Sequence, residues 1–478
     1  MQFNKHFRPL SRFLHGRDIR SAFYPDVRMT LSPRLIPVMP FLLWLGTGAA
    51  WAQDANTDKV EEFSQARYQS TYNTQRHPAF GAIGSGTNSM GPGADKMFTF
   101  SLTGHWGQRL ASGAEIYMNA ELTSGDPFSR NLVGLGGFTN GEITRAGGTT
   151  PKPYLQRLFW RQTWDQGGER EWLDTDFNQM ARWADKDRFV LTAGNFSTLD
   201  VFDDNTYAKD PRTQFMNWSH WTYSSFDYAA DARGFGWGVA AEWYRGDWVY
   251  RLGRMSGPKR PNELQVDWDL LRHYGDQLEV EHTHQLNGQP GKVRALAWRN
   301  RAVTASFKDA TQYLLSHPGT DPQTLFQVRN GEKIKYGLGL NLEQALNDDV
   351  GVFLRAMKSD GRTETYAFTE VDASLSAGTL LKGRLWGRAA DTVGLAYMDN
   401  RLSNDRRAYL EAGGMSYFIG DGAGNFRYRP ERGIEVFYNV GITQHLWLTA
   451  DYQRIQNPAY NALRGPVNVY ALRMHLEF

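Results

Sequence analysis

The chain contains no cysteine. That excludes disulfide frameworks, thiolate metal centres and cysteine nucleophiles. Long apolar runs are also lacking: mean hydropathy is −0.55, and no stretch after residue 52 has the roughly 20 apolar residues of a spanning helix. A helical membrane protein is thereby excluded. Charge of one sign is not in excess either, with 53 Lys/Arg against 51 Asp/Glu. Residues 1–52 hold seven basic and two acidic residues, which leaves 46 basic and 49 acidic in the remainder. A body with net charge −3 argues against nucleic acid as a partner. There is no G-x-S-x-G, H-E-x-x-H, P-loop or dinucleotide fingerprint. With 51 acidic residues, carboxylate pairs are too common to single out a glycosidase site. Neither enzymatic activity nor a cofactor is expected.

What is present is an abundance of aromatics (14%) and 48 glycines. The last twelve residues show how they are used. Tyr470, Leu472, Met474, Leu476 and Phe478 fall on one face of a strand, and Arg473, His475 and Glu477 on the other. Alternation with period two sends these sets to opposite sides of a sheet. A strand that is apolar on one face, charged on the other and ends on an aromatic reads as the closing strand of an outer-membrane β-barrel. Phe478 is then the expected handle for the barrel assembly machinery of a Gram-negative cell.

The one sustained apolar run is Leu35–Gly46, preceded by Arg28 and Arg34. It ends in Ala49-Ala50-Trp51-Ala52, where Ala50 and Ala52 satisfy the small-x-small rule. Residues 1–52 therefore read as a cleavable signal peptide, cut after Ala52 to give a mature start at Gln53. A transmembrane anchor is the competing reading, but the run is short and interrupted by proline. Residues 1–28 make an unusually long leader, and Met29 stands where a signal of ordinary length begins, so both Met1 and Met29 stand as starts.

Residues 53–96 read as a periplasmic, irregular segment. Asp54–Tyr72 is soluble and partly helical in expectation, and Gly81–Gly93 is linker-like. From residue 97 to 478, amphipathic stretches of about ten residues recur, the length of a tilted barrel strand. In Lys333–Leu342, Ile334, Tyr336, Leu338, Leu340 and Leu342 alternate with Lys333, Lys335, Gly337, Gly339 and Asn341. Asp349–Lys358 and His445–Gln453 repeat the scheme. The expected fold is all-β, an antiparallel transmembrane barrel of about 16 strands of the outer-membrane porin type, with an aqueous lumen. Strands are expected at 97–106, 112–122, 153–164, 187–197, 234–244, 246–256, 275–286, 290–302, 331–342, 347–358, 363–376, 379–388, 392–399, 432–441, 444–454 and 467–478. The longest loops are expected at 123–152, 198–233, 400–431 and 455–466.

Several segments, in order, resemble the carbohydrate-selective porin (OprB) family. They are Gly113–Glu121; Gly194–Ser197 running into Asp200–Asn205 and Asp210–Asn217; Tyr336–Gln344; Asp360–Glu364; and Gly383–Gly394 with Ala396-Tyr397, containing Trp386, Asp391 and Thr392. The resemblance spans about Tyr68 to Phe478. It implies an outer-membrane channel passing mono- and oligosaccharides. The polar insert Trp164–Lys186 matches no feature of the family.

A sugar channel needs aromatic faces to stack on pyranose rings and charged groups to replace water at the hydroxyls. Loop 121–153 and loop 200–217 supply the charges. The candidate pore-lining residues are Arg130, Glu142, Arg157, Arg161, Asp204 and Arg212, weighed against solvated loop charges or lumen ion pairs that stiffen the barrel. Asp200, Asp203, Asp204 and Asn205 lack the spacing of a Ca²⁺ loop and read as a plain acidic loop. His282 and His284 lack a third metal ligand. Trp243, Trp248, Tyr250 and Trp298 read as an interfacial girdle. No metal is expected; a homotrimer is possible on size grounds. Two other functions fit less well: an exopolysaccharide export channel, with 54–96 and 164–186 as docking elements, and a secreted β-rich carbohydrate-active enzyme.

Overall fold

A computed structural model describes residues 59–478. The expected signal peptide, its long leader and the expected cleavage after Ala52 lie outside the described residues. Sixteen strands close into one antiparallel barrel. They are β1 (Ser64–His77), β2 (Asp95–Ala111), β3 (Ala114–Asp126), β4 (Lys152–Asp165), β7 (Arg188–Phe196), β8 (Gly236–Arg245), β9 (Trp248–Met255), β10 (Tyr274–Leu286), β11 (Gln289–Val303), β12 (Glu332–Asn347), β13 (Val350–Ser359), β14 (Ala373–Lys382), β15 (Thr392–Arg401), β16 (Glu431–Thr443), β17 (Leu446–Gln456) and β18 (Val467–Glu477). Two short strands, β5 (Arg170–Leu173) and β6 (Arg182–Asp185), pair only with each other. Among the described residues no helix is long and apolar enough to cross a membrane.

Each strand pairs with its sequence neighbour, and β1 pairs with β18 to close the cylinder. Closure leaves no strand edge, so every backbone group at membrane depth has a partner. On β12, Ile334, Tyr336, Leu338 and Leu340 are exposed on the outer wall, while Lys335, Asn341 and Glu343 are buried on the inner one. β18 does the same, with Tyr470, Leu472 and Met474 outside and Arg473 and His475 inside. The connections are sorted by end. Two-residue turns at 112–113, 246–247, 287–288, 348–349 and 444–445 share one mouth with the start of β1 and the end of β18. Long connections at 127–151, 197–235, 256–273, 304–331, 360–372 and 402–430 share the other. Short turns mark the periplasmic side of such a barrel and long loops the external side. Two helices, α1 (Phe307–Ser316) and α2 (Asn404–Glu411), lie in the external loops and touch.

Two strand assignments differ from the periodicity reading, and their errors cancel in the count. Residues 64–77, expected in an irregular and partly helical segment, form β1. Its outer face offers Ala66, Tyr68, Ser70, Tyr72, Thr74 and Arg76, too few apolar side chains to register as an amphipathic strand. Conversely, the expected strands 363–376 and 379–388 contain a single strand, β14. Residues 363–372 fold into the lumen instead, where the backbone N–H groups of Tyr366 and Ala367 donate to Asp227 and that of Phe368 to Asn262.

Because β1 supplies both the β18 and the β2 pairings, a chain that begins at residue 79 cannot close. We expect such a truncation to lose heat-modifiable migration on gels and native β-sheet circular dichroism, whereas a chain that begins at Gln53 keeps both.

Candidate functional site

The lumen is crossed by the 197–235 loop. Its entry is set locally: the Ser197 side chain and the Asp200 carboxylate form a capping box over the turn Thr198–Asp200. Asp203 then adopts a left-handed conformation (φ 58°), which a short acidic side chain tolerates when its oxygens are well bonded. One carboxylate oxygen accepts from Arg355 Nε (2.8 Å) and Asn341 Nδ2 (2.7 Å). The other accepts from the Thr222 hydroxyl (2.9 Å) and the Tyr223 N–H (3.1 Å). Arg355 also donates to the carbonyls of Ala208 (2.6 Å) and His220 (2.8 Å). Farther along, Phe215 packs with Ala208, Phe353 and Phe437 in a buried apolar cluster. Gly394 makes that approach possible, since a Cβ there would stand 2.1 Å from the Phe437 ring and 2.8 Å from Phe215.

The rest of the loop is gripped by wall residues. Glu279 accepts from the Asp203 N–H (2.9 Å) and Glu343 from the Thr206 N–H (2.9 Å). Glu435 accepts from Met216 (2.5 Å) and Asn217 (3.1 Å), and Arg473 donates to the carbonyls of Pro211 and Gln214. Loop 127–151 is held in the same way, by Glu431 on the N–H groups of Gly136 (2.9 Å) and Gly137 (3.1 Å). Burial lowers the basicity of the His220 ring, as does nearby Arg355, to a pKa of about 3, so this imidazole sits neutral in the core of the loop.

The lumen-facing charges that keep solvent contact gather where loop 197–235 faces β4. Arg157 engages Asp200 through two parallel bonds of 2.7 Å, the bidentate geometry specific to arginine and carboxylate. Burial pushes the Asp200 carboxyl up, but Arg157 pulls it further down, so it stays below the usual carboxylate range. Beside it Lys209 bonds Asp204 at 2.5 Å. The Lys209 ammonium, with help from Arg294, holds the Asp204 carboxyl far below its ordinary range. Both Asp204 and Lys209 side chains are about 40% exposed, against 7% for Arg212 and 5% for Glu142.

Aromatic faces adjoin these charges. The Arg157 and Arg145 guanidinium groups stand 5.0 and 5.5 Å from the Phe235 ring centre. Tyr154 lies 6.3 Å from Phe235 and carries Arg233 over its own ring at 4.2 Å. A bulge explains why Tyr154 and Arg157 share the lumen. The β3–β4 register slips between Asn119 and Ala120, leaving Gln156 as the extra residue, and the strand changes face there. Deeper on β4, Arg161 sits 5.3 Å from both Tyr117 and Phe159 and donates to the Asn178 carbonyl (2.8 Å).

Asn178 belongs to the polar insert, whose middle folds against the periplasmic mouth. Its Phe177 lies 5.5 Å beneath Arg67 and edge-on to His105, and the Met180 N–H reaches the Tyr117 hydroxyl. The segment ahead of β1 pins it, with Glu62 accepting from Ala181 N–H (2.8 Å) and the Thr175 hydroxyl (2.8 Å).

Of the residues singled out from sequence, Arg157 and Asp204 belong to the partly exposed pairs, and Arg161 lies deeper on β4 beside Asn178. Arg212 and Glu142 are buried together: Arg212 donates to Glu142 (2.7 Å) and Glu121 (2.6 Å), tying the crossing loop to β3. Arg130 is apart from them, exposed in the external loop on the turn Phe128–Arg130. Sequence reasoning missed Asp203, Arg355, Tyr154 and Phe235. The first two pair across 152 residues, and the bulge hides the third. Trp243, Trp248 and Tyr250 are exposed on the outer wall, as expected of a girdle, but Trp298 is buried inside against Phe226. His282 stacks on Trp248 at 4.3 Å. Among the described residues no group of three or more His, Asp or Glu is placed to hold a metal ion.

Residues 88–478 match the family model described as carbohydrate-selective porin, OprB family. Among solved structures, the high-pH form of Pseudomonas putida OprB is similar at a TM-score of 0.65 and 14% identity, over 87% of this chain and 94% of that one. The low-pH form gives 0.47 at 10% identity, over 87% and 93%. Pseudomonas aeruginosa OccK2 gives 0.41 at 10% identity, over 86% and 97%. No match was found among curated proteins.

Removing one partner of a buried ion pair strands the other charge, at a cost of about 3–5 kcal/mol. Arg355→Ala is expected to destabilise the barrel by that order and to raise single-channel conductance as the loop loosens. The double variant Asp203→Asn/Arg355→Met, which leaves no stranded charge, should lose much less in thermal unfolding.

Proposed function

We propose, on the premise that this chain belongs to the carbohydrate-selective porin (OprB) family, that its aperture is a weak sugar-binding slot. The protein is an outer-membrane sugar diffusion channel, and its family and fold are those of channels rather than enzymes. The observation that carries the slot reading is the adjacency of partly exposed, paired charges and the half-buried Tyr154 ring inside the barrel. Arg157–Asp200 and Asp204–Lys209 offer hydrogen bonds to sugar hydroxyls, and the half-buried Tyr154 ring, backed by the buried Phe235, offers a face to the apolar side of a pyranose. Because the charges are already paired, a passing sugar exchanges one set of partners for another. Binding is therefore weak enough to release, as conduction requires.

In this reading Arg157, Arg161 and Asp204 contact the permeant, while Arg212 and Glu142 set the position of the loop that carries Asp204. Arg130 meets sugars only at the external mouth. The polymer-export reading gains little from the insert, because Thr175, Asn178 and Ala181 are bonded to Gln65, Arg161 and Glu62 of this chain's own mouth. Export by a signal peptide cleaved after Ala52 belongs to the same proposal. Recruitment of the assembly machinery through Phe478 does too, supported by a ring left exposed on the outer wall between Tyr68 and His445. So does a homotrimer, for which the mass of the detergent-extracted protein is the test.

In planar bilayers the mature protein is expected to form channels that maltose and longer maltodextrins block at millimolar concentration. Tyr154→Leu should weaken that block about two- to tenfold, the order of one lost aromatic face, with little change in sugar-free conductance. Channels indifferent to sugars would reduce the protein to a general pore. N-terminal sequencing of protein from outer membranes should begin at Gln53; another start would move the cleavage site.

A further inference from the structure

The outer wall carries a feature that permeation does not use. Strand register lines up two rows across β8 to β12. Nearer the external rim the row reads Val239, Arg254, Asp276, Arg299, Tyr336. Two residues toward the periplasm it reads Ala241, Leu252, Leu278, Ala297, Leu338, continued by Leu191 on β7. Ala241 and Ala297 are small among leucines, so the wall is hollowed there. These residues line a surface cavity of about 730 Å³.

Charge is unusual on this face, because an arginine exposed to hydrocarbon is costly except near the interface. Here the arginines stand at the rim end of the hollow. Asp276 is shared by Arg254 (2.7 Å) and Arg299 (3.0 Å), so one carboxylate faces two guanidinium groups. Above it Glu332 is shared by Arg272 (2.6 Å) and Arg301, with Asp267 and Asp269 also near Arg272. All four arginine side chains remain at least 36% exposed. Two guanidinium groups on one carboxylate at Asp276, directly above an apolar hollow on the same strands, are complementary to one kind of molecule: an amphiphile with an anionic head and a hydrocarbon tail.

We propose that this hollow is a binding site for an anionic, phosphate-bearing lipid of the outer leaflet. The phosphate sits against Arg254 and Arg299, with Arg272 and Arg301 above, and an acyl chain lies along Leu252, Leu278 and Leu338. Guanidinium groups retain free donors while paired to a shared carboxylate, so the phosphate completes their coordination without displacing Asp276. The inference rests on the barrel spanning a membrane and is independent of the sugar slot.

The test is native mass spectrometry of the full mature barrel, released from detergent with dioleoyl phosphatidylglycerol and dioleoyl phosphatidylcholine at equal concentration. The wild type should retain phosphatidylglycerol in several-fold preference. Arg254→Gln/Arg299→Gln should reduce that retention by roughly fivefold per arginine. Ala241→Trp, which fills the hollow and leaves every charge in place, should reduce it as well. Both variants should conduct like the wild type in bilayers, which establishes folding and leaves the sugar reading untouched. Equal retention of the two lipids, retention unaffected by either variant, or displacement by millimolar inorganic phosphate alone would overturn the proposal. So would an oligomer that dissociates on Ala241→Trp, since the hollow would then belong to a second copy.

Discussion

Irregular backbone cannot be held inside a membrane barrel unless something hydrogen-bonds it, and that requirement governs the rest of this structure. The 197–235 and 127–151 loops bring many peptide groups into the lumen without strand partners. An unpaired buried N–H or C=O costs on the order of 1–3 kcal/mol. Here the barrel wall answers with carboxyl and guanidinium side chains: Glu279, Glu343, Glu431 and Glu435 take the loops' N–H groups, and Arg355 and Arg473 take their carbonyls. These wall side chains are buried by the loops, and the loop backbone is satisfied by the wall side chains. Neither arrangement is tenable alone.

Several properties of the channel follow. A loop tied at many points around the cylinder is a fixed partition rather than a swinging lid, so the free cross-section is decided by where the ties lie. Beside β4 the ties are the partly exposed pair Arg157–Asp200, with Asp204 and Lys209 paired next to it, and these keep contact with water. Charges paired at the surface of a wet aperture are exchangeable in a way that Arg212 with Glu121 and Glu142 is not. Position and permeation are thus assigned to different ion pairs. The aromatic rings are divided likewise: Phe215, Trp218 and Phe235 are buried, while Tyr154 keeps partial contact with solvent.

The outer wall obeys the opposite rule. There the backbone is already satisfied by the ladder, and a side chain has only to match the depth at which it sits. Leucines and aromatics cover the hydrocarbon band. Arginines appear toward the rim, two of them on Asp276, and the residual positive charge there has meaning only in relation to what lies outside the protein.

The architecture was legible in the sequence wherever period two was strong. The pattern over 333–342, 349–358, 445–453 and 467–478 stated which side chains face lipid, because one apolar face and one wet face leave a strand no other register. It failed at β1, whose outer face is mostly polar, and at 363–372, where alternation occurs without a neighbouring strand to pair with. Charge placement was legible in part. That Arg157 and Arg161 face the lumen follows from parity, and the acidic loop at 200–205 is visible as composition. What the acids do is not. Asp203 locks the loop because Arg355 and Asn341 come to it across the barrel, whereas Asp204, one residue on, opens to water. A hydrogen bond between a wall carboxylate and a distant loop amide leaves no periodic trace in the chain. The sequence by itself determined the barrel, its membrane face and its inventory of charge. Only the tertiary structure decided which charges bind backbone and which meet the solute, because that choice is made by long-range contact.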